Sequence, residues 1–337
     1  MLRAGIIGLG KMGLSHASII GAHPSVEMVG LCDTSGLVLE ALKKFSKVNV
    51  YDDFKKMIDK EKPDFVVVAS PTKFHYEMVK YALDRGIHTF CEKPFSLTIR
   101  EGEELVELAR KKNVVNQAGF HNHFIGTFRE LRRLLANGVI GELVHFTGEA
   151  YGPVVVREKG ETWRSDPKEG GGCLFDYASH VINLIQEIVG KPVRASGSQL
   201  KKIYSKKVED AVYSILTLES GLSGVLSVNW SDETYRKMAT SLMVMGKKGK
   251  IVCDATELKI YLKEANPKEK LDKGWTIKYI TDLAIPVSFY LRGEEYSAQM
   301  DNFVECILKN EQTEINSFEQ ALGTDKVIDL IIEDSKN

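Results

Sequence analysis

The chain opens with a short apolar run at 3–7, then three spaced glycines, a helical stretch over 14–21, and a second apolar run at 28–32 that ends on Asp33. Apolar runs without polar alternation mark strands buried on both faces, as parallel sheets require. The rhythm continues with predicted strands at 48–51, 65–69, 87–91 and 114–118, and helices at 36–45, up to about 60, 74–85 and 100–112. Strand and helix in strict turn predict a doubly wound parallel sheet, with ligands at the carboxyl ends of its strands. The period changes after Gly119. A helix over 127–136 leads into 143–151, and beyond Gly190 apolar and polar residues alternate: 211–218 and 222–230 flank Glu219-Ser220-Gly221 as an antiparallel hairpin. Runs at 242–245, 249–253, 258–262 and 276–281 extend that sheet, 266–273 reads as a charged, exposed tether, and helices at 296–309 and 317–334 finish the chain. The expected division is 1–121 and 122–337, the terminal helices packing back on the first part.

The first turn carries a specific fingerprint. Gly8 allows a tight turn, Gly10 lets a pyrophosphate approach the backbone, and Gly13 lets the helix pack close to its strand. Lys11 and Met12 complete the loop, whose free N–H groups and positive dipole end face the phosphates. Asp33 follows Gly13 by twenty residues and is placed to accept both ribose hydroxyls. The first part therefore reads as an NAD-binding Rossmann domain. Thr34 and Ser35 follow the acid with no arginine beside it, so a 2′-phosphate would meet an uncompensated carboxylate. NAD is expected rather than NADP.

Composition narrows the class. The length of 337 residues suits about two domains, and 43% apolar with 27% charged residues is ordinary for a globular chain. A net charge of −1 without a dense basic stripe argues against nucleic acid. No apolar run approaches membrane-spanning length, and the chain enters a strand at once, which points away from a signal peptide. Five scattered cysteines without ligand spacing read as reduced thiols in the cytoplasm. Few helices remain to cover the second sheet, so one face is expected to meet another subunit, as a homodimer or homotetramer.

Two clusters can do chemistry. Glu92-Lys93-Pro94 ends a predicted central strand, where a lysine can bind a substrate hydroxyl and stabilise its oxygen during hydride transfer. Lysine at a loop entrance is also commonly just solvated. Glycines 170–172 open a helix bearing Asp176 and His180, four apart on one face. A carboxylate can set the tautomer of such an imidazole and raise its basicity. Alone, the same pair reads as a helix-surface contact worth a few tenths of a kcal/mol.

Taken together, the Gly8/Gly10/Gly13 loop, Asp33, Glu92-Lys93-Pro94 and the triple-glycine helix with Asp176 and His180 resemble the glucose-fructose oxidoreductase / inositol dehydrogenase / MocA family over nearly the whole chain. The resemblance implies an N-terminal Rossmann domain and a C-terminal α/β domain with a large open, mostly antiparallel sheet used for oligomerisation. It implies oxidation or reduction of a carbon on a sugar, cyclitol or nucleotide sugar with NAD or NADP. It assigns catalysis to Lys93, Asp176 and His180, the cofactor path to Ser70, Thr72 and His75, and a cofactor contact to Glu92. The same resemblance allows a different class, an NAD-binding sensor or repressor on this scaffold, against which the joint presence of Lys93, Asp176 and His180 argues.

One segment departs from common members. Gly119-Phe120-His121-Asn122-His123 stands where many carry arginines, which makes His121 and Asn122 candidates for substrate contact and leaves the substrate class open. A metal between His121, His123, Asp176 and His180 is not expected, because hydride transfer with a lysine needs no Lewis acid. His16, His23, His88 and His145 read as structural or solvated. The connection 152–169 holds Arg157, Lys159, Trp163 and Arg164. It suits a binding loop in which Trp163 stacks a sugar and Arg164 holds an anionic group, and equally a polar loop anchored by its tryptophan.

Overall fold

Val66, Val67 and Val68 are each 0% exposed, as a strand without polar alternation must be when both sheet faces are covered. They belong to a computed structural model that describes residues 1–158, 162–287 and 289–337. In chain order its first elements are β1 (Leu2–Ile7), α1 (Lys11–Gly21), β2 (Val26–Cys32), α2 (Gly36–Phe45), β3 (Asn49–Tyr51), α3 (Phe54–Glu61), β4 (Phe65–Val68), α4 (His75–Asp84), β5 (His88–Cys91), α5 (Ile99–Lys112) and β6 (Asn116–Ala118). Then come α6 (Gly126–Ala136), β7 (Leu143–Tyr151), α7 (Ser179–Ile188), β8 (Pro192–Lys201), β9 (Ala211–Leu218), β10 (Ser223–Asn229), β11 (Ala239–Gly246), β12 (Gly249–Asp254), β13 (Glu257–Leu262), β14 (Gly274–Tyr279), α8 (Ile280–Leu283), α9 (Glu294–Lys309) and α10 (Phe318–Asp334). Contacts divide the chain into Met1–His121 with Pro286–Leu322, and Asn122–Ile285 with Gly323–Asn337.

In the first unit six parallel strands lie in the order β3-β2-β1-β4-β5-β6. The order reverses between β1 and β4, which opens a crevice at their carboxyl ends. One face packs Ile19 and Ile20 of α1 and Phe303 and Val304 of α9 on Ile6, Phe65 and Phe90. The other packs Met57, Val79 and Leu105 of α3, α4 and α5 on Val66, Val68 and Cys91. The late segment is thus part of this core, and buried polar groups fix it: Asn302 Nδ2 donates to Gln117 Oε1 at 2.9 Å, and Gln117 Nε2 to the Gln299 carbonyl at 3.0 Å. The last helix, α10, begins in this unit with Phe318 and Ala321 and continues in the other with Val327, Ile328 and Ile331.

The second unit holds an eight-stranded sheet, β14-β13-β12-β11-β7-β10-β9-β8, antiparallel except where β10 runs parallel to β7. Phe128 and Leu131 of α6 and Val181, Ile182 and Ile185 of α7 cover one face through Leu216, Leu226, Leu242 and Ile260. One strand was missed here, and one expectation holds only in part. Strand β8 was not anticipated, because its pairing with β9 slips twice, which scrambles the alternation that betrays a strand. Residues 266–273 form a turn exposed at most positions, as expected, but it is fastened rather than loose: Asn266 bridges to Leu271, Leu271 is 3% exposed, and Glu269 accepts from Arg133 Nη2 at 2.7 Å. Among the described residues no helix is long and apolar enough to cross a membrane, and four of the five cysteines are buried.

Candidate active site

The glycine-rich turn between β1 and α1 has two glycines that the fold itself demands. Gly8 has φ +88°, and a Cβ there would stand 2.6 Å from the Ser70 backbone nitrogen; a Cβ on Gly13 would stand 1.7 Å from the Gly8 carbonyl oxygen. Gly10 differs, for a Cβ there would meet nothing within 4 Å among the described residues. Gly10 also precedes α1, whose first turn has no side-chain cap and no acid. Open backbone donors beside a residue without a side chain form a cradle for a diphosphate, so these residues fit a dinucleotide. Lys11 and Met12 are the first residues of that helix.

Asp33 does more than wait for a ribose. Its Oδ2 accepts the Leu9 N–H at 2.6 Å and its Oδ1 the Ser35 N–H at 2.8 Å, which pins the glycine loop to the end of β2. Each carboxylate oxygen retains further acceptor capacity. Negative charge accumulates here: burial first, and then Asp33, Asp53 and Asp52, push the Cys32 thiol up to about 12.

At the ends of β4, β5 and β6 a chain of polar groups follows. His75 is buried, with Nε2 2.9 Å from the Ser70 carbonyl and Nδ1 2.9 Å from the Pro94 carbonyl. The ring therefore sits between the 70–72 turn, where Thr72 is also buried, and the segment that follows Lys93, donating to one of the two carbonyls when neutral. Burial pushes its pKa below the ordinary value, opposed by the two carbonyls and by Glu92. Glu92 is buried, with Oε1 2.7 Å from Nε2 of the fully buried His16 and Oε2 3.3 Å from the Lys93 N–H. Burial alone would raise this carboxyl, but the hydrogen bond and charge of His16 and the charge of Lys93 hold it below the ordinary value. The His121 ring stacks on Tyr296 at 4.6 Å and 19°, and the Arg292 guanidinium lies 5.3 Å from the Tyr296 ring. Burial takes the His121 imidazole down to about 4, against the pull of Glu92, so it is neutral near pH 7.

In the second unit the triple glycine serves packing. A Cβ on Gly171 would lie 2.4 Å from the Arg164 carbonyl oxygen, and one on Gly172, at φ +110°, would lie 2.3 Å from a Glu209 carboxylate oxygen. Glu209 Oε1 accepts the Leu174 N–H at 2.8 Å, and so holds the start of a π-helical turn, Leu174–Ala178, that runs into α7. Such widened turns often mark functional sites. This one carries Asp176, and His180 follows in α7; both are buried. Asp176 Oδ2 accepts from Arg164 Nε at 3.0 Å, and the Arg164 guanidinium lies 4.4 Å from the Trp163 ring. Trp163 keeps 37% of its surface exposed. Asn122 is buried, and its Nδ2 has no hydrogen-bond partner among the described residues. His123 Nε2 lies 2.8 Å from Asn183 Oδ1, and burial lowers its pKa to about 4. Arg157 is exposed, while Lys159 falls outside the described residues. Among the described residues no group of three or more His, Cys, Asp or Glu could hold a metal.

The structure thus gathers Gly8, Gly10, Lys11, Met12, Gly13, Asp33, Ser70, Thr72, His75, Glu92, Lys93 and His121 in the first unit. Asn122, Trp163, Arg164, Asp176 and His180 belong to the second. His16 carried a readable signal: with Ile19 and Ile20 it lies on the buried face of α1, where a polar ring requires a partner. Tyr296, Arg292 and Glu209 carried none, since each joins its cluster from a distant stretch of chain.

Comparison with known proteins accords with this arrangement. Residues 2–120 match the oxidoreductase family with an NAD-binding Rossmann fold, and 128–252 match the C-terminal domain of the same GFO/IDH/MocA group. D-glucoside 3-dehydrogenase of Escherichia coli K12 is 32% identical over 252 residues, covering 69% of this chain and 70% of that protein. Myo-inositol 2-dehydrogenase of Thermotoga maritima is 28% identical over 263 residues, covering 75% of each. Levoglucosan dehydrogenase in complex with NADH shares the fold at TM-score 0.89 and 21% identity, over 99% of this chain and 97% of that one. With the fingerprint loop, the strand-end lysine and the helix of Asp176 and His180 all in their expected elements, the chain belongs to the GFO/IDH/MocA oxidoreductase family, whose N-terminal domain is an NAD-binding Rossmann fold.

Proposed function

We propose that the protein is an NAD-dependent dehydrogenase acting on a secondary alcohol, or the corresponding ketone, of a sugar or cyclitol. The observation that carries this is Lys93, which follows the end of β5 and whose charge acts on both the buried Glu92 and the neutral His121. The D-glucoside and inositol dehydrogenases among its relatives support the substrate class. A bound nicotinamide supplies the hydride acceptor. The chain's own groups do the rest. The Lys93 ammonium donates to the reacting oxygen and steadies the charge that develops there. His180 takes the hydroxyl proton in oxidation and returns it in reduction, and Asp176, with Arg164 on its Oδ2, fixes the charge beside that helix. Arg164 over the half-open Trp163 offers a cationic, aromatic platform to a sugar ring.

The acidic cluster of Asp33, Asp52 and Asp53 around Cys32 favours NAD over NADP, since a 2′-phosphate would add like charge there. For self-association the support is the open face of the eight-stranded sheet. Ile215, Val225, Thr147, Met243, Val252, Lys259 and Ile277 fall in cross-strand register on it, and Trp275, Ile277 and Tyr279 are 56%, 46% and 52% exposed. A homodimer or homotetramer through this face should appear in light scattering, and charges introduced at Ile215 and Ile277 should dissociate it.

The activity test is NADH absorbance with methyl glucosides, levoglucosan and myo-inositol, using NAD and NADP in parallel. Turnover should require NAD and fall by about 10²-fold or more in Lys93→Met, with NADH still bound. Full turnover by Lys93→Met would remove the lysine from this role. Tight NADH binding with no turnover on any substrate would favour a sensor instead.

A further inference from the structure

The proposed chemistry gives no role to His16, the buried partner of Glu92. His16 is 0% exposed on the inner side of α1, its ring edge-on to Phe90 at 5.2 Å. Its Nε2 stands 2.7 Å from Glu92 Oε1. The Glu92 carboxylate is hemmed in elsewhere: Oε2 accepts the Lys93 N–H at 3.3 Å, and a Cβ on Gly119 would come within 2.7 Å of that same oxygen. Three pieces of the first unit therefore converge on one carboxylate: the helix behind the glycine loop, the end of β5 that bears Lys93, and the residue after β6.

A buried carboxylate is a poor choice for stability alone, because apolar residues of similar volume often serve as well or better. Here it connects two functional segments. Gly10, Lys11 and Met12 open α1, and His16 lies about one turn further along the same helix. Its partner Glu92 is the residue immediately before Lys93. The Lys93 charge acts on that carboxylate.

We propose that His16 is a positioning residue for Lys93: its Nε2–H holds Glu92 in place and ties the lysine-bearing end of β5 to the dinucleotide-binding helix. This rests on the role given to Lys93 above. Substitutions separate the donor from the volume. His16→Gln retains an N–H near the place of Nε2, whereas His16→Met fills the space without a donor. The readouts are NADH affinity by fluorescence titration, thermal melting of the chain without cofactor, and turnover with NAD on levoglucosan, methyl glucoside and myo-inositol.

His16→Gln should keep kcat within about threefold, and His16→Met should lower it about 30-fold or more while NADH affinity moves less than about threefold. The double variant His16→Met/Glu92→Gln removes the stranded charge, so its melting temperature should recover while kcat does not. Should His16→Met fail to fold, the double variant carries the same test. Wild-type kcat in His16→Met, or recovery of kcat together with stability in the double variant, would reduce His16 to packing and overturn the inference. Lys93→Met discriminates the two levels. If it is inactive while His16→Met is active, only this inference falls; if it is fully active, the assignment beneath it falls as well.

Discussion

Two glycine-rich turns open two helices in this protein, and they are glycine-rich for different reasons. In the first, Gly8 and Gly13 are fixed by backbone that approaches them, but Gly10 has open space where a side chain would be. In the second, Gly171 meets the carbonyl of Arg164 and Gly172 combines φ +110° with the Glu209 carboxylate. The second turn is explained by its own packing. The first leaves one glycine that the fold does not require, and that residue sits at the uncapped end of α1. At this turn, between β1 and α1, a bare glycine fits the approach of a diphosphate.

The largest effect should come from Gly13→Ala. The added carbon would lie 1.7 Å from the Gly8 oxygen, so α1 must move away from β1 or the loop must refold. Either loses about 3 kcal/mol or more, and NADH binding should vanish with it. Urea denaturation with an NADH titration measures both. A variant as stable as wild type would mean that helix and strand are not in the close packing described.

Gly172→Ala should come next, at about 2 kcal/mol, from a backbone angle that residues with a Cβ rarely adopt. Unlike Gly13→Ala it should leave NADH affinity unchanged, because the dinucleotide loop belongs to the other unit. A parallel loss of NADH binding would erase the distinction between the two turns.

The same contrast governs what the sequence disclosed. The strands of the first unit were legible because burial on both faces writes itself as unbroken apolar runs such as Phe65-Val66-Val67-Val68. Glu92 and Lys93 were legible because a strand end beside a fingerprint loop has a predictable place. The placement of α9 against β6 was not, since its contacts are buried polar pairs such as Gln117 with Asn302, 185 residues apart. Nor was the His16–Glu92 bond, whose partners are 76 residues apart. In the second unit the spacing of Asp176 and His180 showed, but the π-helical turn did not. That turn depends on Glu209 and on the approach of Arg164, neither of which a local pattern encodes.

A smaller effect should separate charge from shape in the second turn. Burial raises the Glu209 pKa above the ordinary value. The folded state therefore holds its proton in a range where the unfolded chain has released it. Stability from this group is present at low pH and declines as pH rises through the raised value. Glu209→Gln keeps an oxygen for the Leu174 N–H and removes the titration. The variant should gain on wild type between pH 4 and pH 8, by under about 1 kcal/mol. Urea curves at the two pH values give the comparison, and a gap that did not change with pH would show that the carboxyl is not desolvated there.

Gly10→Ala should have the smallest effect on stability and is the sharpest test of the contrast. Gly10 has φ −67° and ψ −169°, extended backbone that alanine adopts readily. A Cβ would touch nothing within 4 Å among the described residues. Replacing glycine at a compatible position restricts the unfolded chain, so the variant should melt at the same temperature as wild type or slightly above it, by about 0.4–1 kcal/mol. The methyl would nevertheless stand where a diphosphate must approach the N–H groups of α1, and NADH affinity should fall about tenfold or more, which is about 1.4 kcal/mol. Only a residue kept bare for a ligand gives that combination of retained stability and lost binding. If Gly10→Ala instead bound NADH normally, the open space beside Gly10 would be incidental, and the first turn would be explained, like the second, by packing alone.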